Sequence, residues 1–228
     1  MITKEELAKK IDQTLLKPFV AEEDVKKFIL EAKEYNFRGV CVPPIYVKLA
    51  KELLRGTDIL LVTIVGFPLG YVSTEVKVFE AIKAKADGAD EIDMVMNISK
   101  FKSGDFSFVE KDIRAVVKAV EPLPVKVIIE TGYLMKDEIK EASVIAVEAG
   151  AKVVKTSTGF GPRGATEEDI KLIKEAIGDK ALIKAAGGIR DAEKALRMLK
   201  AGAHIIGSSS GVKILETFSE ELAKRYGI

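Results

Sequence analysis

Two lysines in neighbouring apolar segments are the residues that point most directly to chemistry. Lys155 lies in the β-branched segment 153–157 and Lys184 in the apolar segment 182–186. Adjacent parallel strands lie about 4.8 Å apart, so two inward-facing lysines on such strands would be neighbours. A like charge and a dry setting both disfavour the ammonium form, so the pKa of one lysine would fall. A neutral amine in a cleft is the group that forms a Schiff base with a carbonyl substrate.

The same two lysines also fit a structural role. Lysines near strand ends can extend to solvent along apolar surface or pair with acids, and such ion pairs fit the spacing as well as catalysis does. Asp93 is the candidate acid, because strand alternation places Glu91, Asp93 and Val95 on one face. An inward Asp93 could hold one lysine charged and relay protons, or it could form a simple buried salt bridge.

Two loops of small residues follow the last two apolar segments. They are AAGGI at 185–189 and GSSSG at 207–211, and an amphipathic stretch follows each. Glycines let backbone N–H groups approach an anion, serines add hydroxyl donors, and the start of a helix adds partial positive charge. The two loops therefore indicate a phosphate site, with tight packing turns as the alternative.

The elements that must position these residues alternate along the chain. Nearly continuous apolar segments are typical of strands buried on both faces. The predicted strands are residues 11–15, 39–42, 61–65, 91–96, 125–130, 153–156, 182–185 and 205–208. Stretches with apolar residues at helical spacing lie between them, and these predicted helices are residues 21–35, 74–86, 106–120, 136–149, 166–177 and 191–201.

A repeated βα unit determines the predicted fold. A Gly-Ala joint separates helix from strand at Gly88, Gly150 and Gly202. Eight strands with a unit of about 27 residues predict an α/β protein, a (β/α)8 TIM barrel. We expect a single domain over residues 1–228, with a short N-terminal helix. A doubly wound open sheet is the alternative, but its G-x-G-x-x-G fingerprint does not follow the first strands. In both folds the site lies at the carboxyl ends of the strands.

Composition excludes several classes of protein. The chain has 36 Lys and Arg against 35 Asp and Glu, so it has no field for binding nucleic acid non-specifically. One Cys and one His exclude an internal disulfide, a multi-cysteine metal site and a two-histidine metal motif. We expect structural roles for Cys41 in its apolar strand and for His204 at a strand start.

The sequence also gives expectations about location and source. The longest strongly apolar segment, 59–65, is far shorter than the roughly 20 residues that span a bilayer as a helix. Residues 1–10 lack the apolar core of a signal peptide, so we expect a cytoplasmic protein with no membrane partner. A single Gln and two Asn beside many Lys and Glu favour a thermophilic source, with ordinary variation as the alternative.

Together these segments resemble the deoxyribose-phosphate aldolase family of class I aldolases, in order from residue 11 to residue 211. The resemblance is carried by IDQTLLKP at 11–18, GVCV at 39–42, EIDMV at 91–95, KVIIET at 126–131, VKTSTG at 154–159, IKAAGGIR at 183–190 and GSSS at 207–210. It implies Lys155 as the Schiff-base lysine, Lys184 as the residue that tunes its pKa and exchanges protons, and Asp93 as the proton relay. It also implies a substrate site made of Thr156, Gly159, Gly187, Gly188, Ser209 and Ser210.

The resemblance further implies a reaction and its partners. The reaction is reversible cleavage of 2-deoxy-D-ribose 5-phosphate to D-glyceraldehyde 3-phosphate and acetaldehyde, in deoxynucleoside catabolism. The protonated imine is the electron sink, so no metal or other cofactor is expected. The expected partners are a small sugar phosphate and further copies of the chain, as a homodimer or homotetramer. A non-catalytic sugar-phosphate-binding barrel and a metal-assisted aldolase or decarboxylase are the alternatives.

The sequence departs from the family pattern at three places. Gln13 stands where many relatives have His. Phe160 stands where some relatives have Lys, and Arg163 nearby could replace that charge. Tyr226 lies close to the C-terminus, where some relatives have a terminal Tyr that reaches the site.

Overall fold

The computed structural model describes residues 1–228 and shows a closed barrel of eight parallel strands in chain order, with β1 beside β8. This confirms the predicted (β/α)8 barrel, and each predicted strand is present with its ends within two residues. The strands are β1 Ile11–Thr14, β2 Gly39–Cys41, β3 Leu60–Val65, β4 Glu91–Val95, β5 Val125–Ile128, β6 Val153–Lys155, β7 Leu182–Ala186 and β8 Ile205–Ser208.

Helices surround the barrel and include the predicted short N-terminal helix. They are α1 Lys4–Ala8, α2 Glu22–Glu34, α3 Val47–Leu53, α4 Thr74–Asp87, α5 Ile98–Lys102, α6 Phe106–Val120, α7 Lys136–Glu148, α8 Glu167–Ile177, α9 Ala192–Ala201, α10 Gly211–Glu216 and α11 Glu220–Tyr226. Two 3₁₀ turns, Pro44–Tyr46 and Thr131–Tyr133, complete the set. Helices α3, α5, α10 and α11 were not predicted, because five to seven residues are too few for an apolar period to be visible.

Helix α8 shows how local sequence sets the end of a loop near the site. The Thr166 hydroxyl accepts the Asp169 N–H at 3.1 Å, and the Asp169 carboxylate accepts the Thr166 N–H at 3.0 Å. This reciprocal cap satisfies two amide groups that have no partner within the helix. The loop after β6 therefore has a fixed far end.

Two chemically different regions lie on the two sides of the sheet. The layer between strands and helices belongs to one continuous cluster of 55 buried apolar side chains, which makes the chain one domain. The barrel interior instead contains buried charges, including Asp12, Asp93, Lys126 and Lys184. None of the helices given above combines the length and the apolar character that a membrane-spanning helix requires.

Candidate active site

The two lysines singled out by sequence are direct partners across the sheet. Lys155 ends β6, Lys184 lies on β7, and the strand register pairs them. Paired residues of adjacent strands point to the same side, and both ammonium groups lie inside the barrel. Lys155 is 3% exposed and lines a cavity, whereas Lys184 is fully buried and does not reach it.

Asp93 on β4 joins the two lysines. Its Oδ2 accepts hydrogen bonds from Lys155 Nζ at 2.7 Å and from Lys184 Nζ at 3.0 Å. Its Oδ1 accepts one from Lys126 Nζ at 2.9 Å. Burial opposes ionisation of Asp93, but the charges of the three lysines outweigh it and hold the pKa well below its ordinary value. Asp93 is therefore a buried carboxylate shared by three amines.

The same surroundings move the two lysines in opposite directions. For Lys155, burial lowers the pKa, the Asp93 carboxylate opposes this, and the charge of Lys184 lowers it further. For Lys184, burial also disfavours the charge, but Asp12 and Asp93 together outweigh it and raise the pKa. Of the pair, Lys155 is therefore the lysine that loses its proton more easily.

Asp12 on β1 explains why Lys184 stays charged. Asp12 Oδ2 accepts from Lys184 Nζ at 2.6 Å, and Asp12 Oδ1 accepts from Arg38 Nη1 at 2.7 Å. Burial opposes ionisation of Asp12, but Lys184, Lys126 and Arg38 lower its pKa to about 2. Asp12 stands among the polar residues of the first strand, yet sequence alone gave no reason to connect it with Lys184.

Two glycines make room for these side chains. A Cβ at Gly39 would lie 2.9 Å from Asp12 Oδ1, and a Cβ at Gly207 would lie 3.0 Å from Lys184 Cε. Both distances are shorter than ordinary carbon contacts, so any side chain at either position would displace Asp12 or Lys184. The glycines on β2 and β8 thus define the space in which the charges sit.

The cavity above Lys155 has a volume of about 360 Å³ and opens at the carboxyl ends of the strands. Its lining residues are Thr14, Leu15, Leu16, Lys17, Lys155, Thr158, Gly159, Phe160, Ala186, Gly187, Gly188, Ile189, Arg190, Gly207, Ser208 and Ser209. A larger and more open depression of about 660 Å³, lined by residues of α1 and the chain ends, contains neither lysine. We take the smaller cavity as the candidate site because Lys155, the lysine with the lowered pKa, lines it.

Four of the six predicted substrate-binding residues line this cavity: Gly159, Gly187, Gly188 and Ser209. Gly187 and Gly188 have φ angles of 88° and 69°, a left-handed backbone that favours glycine. The two loops are tied together, because Ser208 Oγ donates to the Ile189 carbonyl at 2.6 Å.

The other two, Thr156 and Ser210, do not line the cavity. The Thr156 hydroxyl donates to the Ala186 carbonyl at 3.2 Å and accepts the Ala186 N–H at 3.1 Å, so it joins β6 to β7. The Ser210 N–H donates to Ser208 Oγ at 2.9 Å. Both residues hold the loops in place.

Two cations that sequence reasoning did not single out lie at the cavity. Lys17 follows β1, Arg190 follows the Gly-Gly loop, and neither forms an ion pair. The signal that could have found them is their position, since each comes shortly after a strand end on the side where parallel barrels carry their sites. They give this end of the barrel positive charge that no carboxylate neutralises.

Of the residues at the departures from the family pattern, Phe160 lies at the cavity, whereas Arg163 and Tyr226 make their contacts elsewhere. Arg163 forms a bidentate ion pair with Asp169 at 2.6 and 2.9 Å and donates to the Thr131 carbonyl, so its charge is already matched. Phe160 lines the cavity and packs edge-on against Phe67, with 5.5 Å between ring centroids. The Tyr226 hydroxyl donates to Glu193 at 2.7 Å on the outer surface.

Cys41 and His204 have the structural surroundings that the sequence predicted. Cys41 is fully buried, and burial together with the nearby Asp93 raises the pKa of its thiol to about 11. His204 Nδ1 accepts the Ile183 N–H at 3.1 Å, which joins β7 to the start of β8. No group of three or more His, Cys, Asp or Glu side chains is arranged to hold a metal ion.

A parallel barrel with a cavity at the carboxyl ends of its strands, and a buried lysine pair beneath it, defines the class of this protein as an α/β-barrel enzyme. The sequence model of the DeoC/LacD family aldolases matches residues 7–217, and the chain belongs to this family. It is accordingly a carbon–carbon lyase.

Similar proteins agree with the family. A deoxyribose-phosphate aldolase of Aciduliprofundum boonei is 56% identical over 214 residues, which cover 93% of this chain and 96% of the relative. One of Thermococcus kodakarensis is 52% identical, with coverages of 96% and 100%. The structure of the Aeropyrum pernix deoxyribose phosphate aldolase, described as tetrameric, matches with a TM-score of 0.89 at 35% identity, with coverages of 95% and 92%. The resemblance seen in the sequence is thus confirmed, and the thermophile-like composition fits these sources.

Proposed function

We propose that this protein is a deoxyribose-phosphate aldolase that cleaves 2-deoxy-D-ribose 5-phosphate reversibly through a Schiff base on Lys155. The observation that carries the proposal is the position of Lys155 Nζ. It is the one amine that both lines the cavity and contacts a buried carboxylate, Asp93 at 2.7 Å. We place the reaction in deoxynucleoside catabolism and the protein in the cytoplasm, which cell fractionation tests.

The proposed chemistry begins when Lys155, at the floor of the cavity, gives up its proton and its amine attacks the substrate. Lys155 adds to the aldehyde carbon of the open-chain sugar, and loss of water gives a protonated imine. The bond between C2 and C3 then breaks, its electrons pass into the imine to form an enamine, and the C3 hydroxyl loses its proton to become the aldehyde of glyceraldehyde 3-phosphate. Protonation of the enamine at C2 and hydrolysis by water release acetaldehyde and the free amine.

Asp93 and Lys184 support these steps by charge and by proton transfer. The imine cation takes the place of an ammonium group beside Asp93 Oδ2, so the buried carboxylate stabilises it without reorganisation. Lys184 shares that oxygen at 3.0 Å and has a raised pKa, which makes it a protonated partner within reach of the same atom. We propose that protons move to and from the substrate through this pair.

Borohydride trapping tests the Schiff base. Acetaldehyde with borohydride should add one reduced two-carbon unit, and peptide mapping should place it on Lys155. Lys155→Ala should abolish the adduct and nearly all turnover, while Lys152→Ala, an exposed lysine just before β6, should change neither. An adduct on Lys184 together with an active Lys155→Ala variant would show that Lys184, and not Lys155, forms the Schiff base. Without label on either lysine and with both variants active, the imine mechanism fails.

We propose that the cavity loops bind the substrate phosphate. Gly159, Gly187, Gly188 and Ser209 offer N–H and hydroxyl donors, while Thr156 and Ser210 hold those loops. Lys17 and Arg190 add the charge that Phe160 does not supply.

Two arginines provide a matched test of the phosphate site. Arg190→Met should raise KM for the phosphorylated sugar about tenfold, because it removes a charged contact to the phosphate, and should hardly affect unphosphorylated deoxyribose. Arg163→Met should leave that selectivity unchanged, because its guanidinium is committed to Asp169. Equal losses on both substrates with Arg190→Met would show that the phosphate does not bind at this end of the cavity.

No metal or cofactor enters the proposed mechanism. Dialysed enzyme assayed with excess EDTA should retain its activity, whereas a large loss restored by a divalent ion would favour the metal-assisted alternative. Label on Lys155 in the trapping experiment would separately exclude a barrel that binds sugar phosphates without catalysis.

We propose a homodimer or homotetramer. The outer face of α4 exposes Val76, Phe79 and Ile82 at one-turn spacing, and a related structure is described as tetrameric. Light scattering gives the mass in solution. If this face is the interface, Phe79→Lys should reduce the mass, whereas a monomeric wild-type protein would overturn the proposal.

A further inference from the structure

Six charged side chains form a closed ring inside the barrel. Acids and bases alternate around it, and the six contacts between neighbours measure 2.6–3.0 Å. We call this set the charge ring, and its members in order are Asp93, Lys126, Glu91, Arg38, Asp12 and Lys184, which returns to Asp93. Lys155 is attached to the ring from outside through Asp93.

The charge ring extends between the two ends of the barrel. Arg38 immediately precedes β2 and Glu91 begins β4, so both lie at the amino ends of the strands, opposite the cavity. Their side chains are 19% and 8% exposed, whereas the other four members of the ring are fully buried. Arg38 donates to both Glu91 and Asp12, at 2.7 Å each, and closes the ring there.

The charges of the ring balance without Lys155. Asp12, Glu91 and Asp93 carry three negative charges, which Arg38 and two lysines match. Lys155 is the seventh group and has no carboxylate of its own. We propose that Arg38 is a positioning residue that acts from the far end of the barrel: it completes a neutral ring, so that no excess negative charge remains to hold Lys155 as an ammonium ion.

The ionisable groups that face Lys155 comprise two members of the ring and two groups that substitutions in the ring leave in place. They are Asp93 from β4, Lys184 from β7, Cys41 from β2 and Glu130 after β5. The first two belong to the ring, and Cys41 keeps its proton because burial raises its pKa to about 11. Glu130 is held by the Thr158 N–H and hydroxyl and touches no member of the ring.

Charge balance predicts the direction in which each substitution shifts the protonation of Lys155, whereas a purely structural role of the ring predicts no such direction. Arg38→Met leaves one excess negative charge, which favours the ammonium form of Lys155. Glu91→Gln leaves one excess positive charge, which favours the amine. The double variant is neutral again although its hydrogen bonds are broken. A ring that mattered only for stability would lose activity in all three variants, most of all in the double one.

The experiment is the pH dependence of kcat/KM and of borohydride trapping with acetaldehyde. The lower midpoint should move up by about one unit in Arg38→Met, move down in Glu91→Gln, and return close to the wild-type value in the double variant. Arg38→Lys, which keeps the charge, should retain the wild-type midpoint. Arg114→Met removes an arginine paired with Glu110 on the outer surface of α6, and it should leave the midpoint unchanged.

Circular dichroism checks that each variant folds. If Arg38→Met does not fold, the other two variants decide. The inference is overturned if the midpoint of Glu91→Gln moves up or does not move, or if the midpoint of Arg38→Lys moves. The inference rests on the proposed function, since it requires Lys155 to form the imine. A wild-type enzyme without label on Lys155 overturns the proposed function, whereas label on Lys155 with variants that all shift the same way, or not at all, overturns the inference alone.

Discussion

Lys155 and Lys184 differ in the number of carboxylates they contact. Lys184 contacts Asp12 and Asp93, at 2.6 and 3.0 Å, whereas Lys155 contacts Asp93 alone. Both are removed from water, so the number of acidic partners decides which amine can lose its proton. Identical side chains on paired strand positions thereby acquire different chemistry.

Removal of Lys184 tests this difference at the residue scale. Lys184→Leu takes away a like charge and leaves Asp12 and Asp93 with one cation fewer, so the pKa of Lys155 should rise. A rise of about two units leaves about one hundredth as much free amine at pH 7, a loss of about 2.7 kcal/mol. Surviving activity should increase with pH, and trapping should still label Lys155.

The exposed Lys180, just before β7, provides the control for that experiment. Lys180→Leu should leave the pH profile unchanged. An unshifted profile in Lys184→Leu would mean that Lys184 does not set the protonation of Lys155.

The sequence pointed to three residues that the structure brings into contact, but not to their partners. Lys155, Lys184 and Asp93 were visible because charges within apolar strands are unusual. Arg38 lies at the amino ends of the strands, where no site was expected, and Lys126 had no partner that spacing could reveal. Which acid pairs with which base depends on strand stagger and on the reach of each side chain across the barrel, and a local sequence pattern does not determine these.

At the scale of elements, Glu130 joins the end of β5 to the loop after β6. Its backbone is left-handed, with φ of 52°, which is uncommon for a residue with a side chain. Its carboxylate accepts the Thr158 N–H at 3.2 Å and also the Thr158 hydroxyl. Burial raises the pKa of Glu130, although the hydrogen bonds from Thr158 oppose the rise. The residue fixes the strand end from which Gly159 enters the cavity.

Truncation of Glu130 should loosen that loop. Glu130→Ala leaves the buried Thr158 N–H without its partner, a loss of about 1–3 kcal/mol in the free energy of unfolding. KM should rise because Thr158 and Gly159 are no longer held at the cavity. Urea unfolding and steady-state kinetics measure both effects.

Glu130→Gln is the conservative control, because its amide oxygen can still accept from Thr158. It should fall between the wild type and Glu130→Ala in both measurements. Unchanged KM in Glu130→Ala would show that the loop keeps its position without this contact.

The longer elements were predictable and the short ones were not. Eight strands and six helices follow from continuous apolar segments and helical spacing, because burial between two layers imposes that pattern. Helix α10, with six residues, has no such period. The positions of Thr156 and Ser210 could not be predicted from the sequence either, because the loop backbone decides whether a hydroxyl faces the cavity or the neighbouring strand.

For the whole molecule, the buried carboxylates connect the site to stability in acid. The pKa of Asp12 is lowered from 3.8 to about 2, and that of Asp93 is held well below 3.8. A carboxyl with a depressed folded-state pKa stabilises the fold above its unfolded pKa, and this contribution disappears as pH falls through the folded pKa. The loss should therefore begin near pH 4 and proceed toward pH 2.

Urea unfolding between pH 7 and pH 2.5 checks this expectation. The contribution of Asp12 to the free energy of unfolding should change little between pH 7 and 5. Below pH 4 this contribution should fall by about 2 kcal/mol. Asp12→Asn should be less stable at neutral pH and should show a shallower decline in acid. A decline as steep as that of the wild type would mean that Asp12 does not carry the effect.

The contact between Asp12 and Lys184 joins residues 172 positions apart, on the first and seventh strands. Contacts between distant parts of a chain form late, because a large loss of chain entropy precedes them. The charged surroundings of Lys155 therefore cannot form in a partly folded barrel, and a nascent chain that lacks its last two strands also lacks Lys184. During refolding, trapping on Lys155 should recover in the slowest step, after helical circular dichroism has returned, so that borohydride labelling would report when the barrel closes.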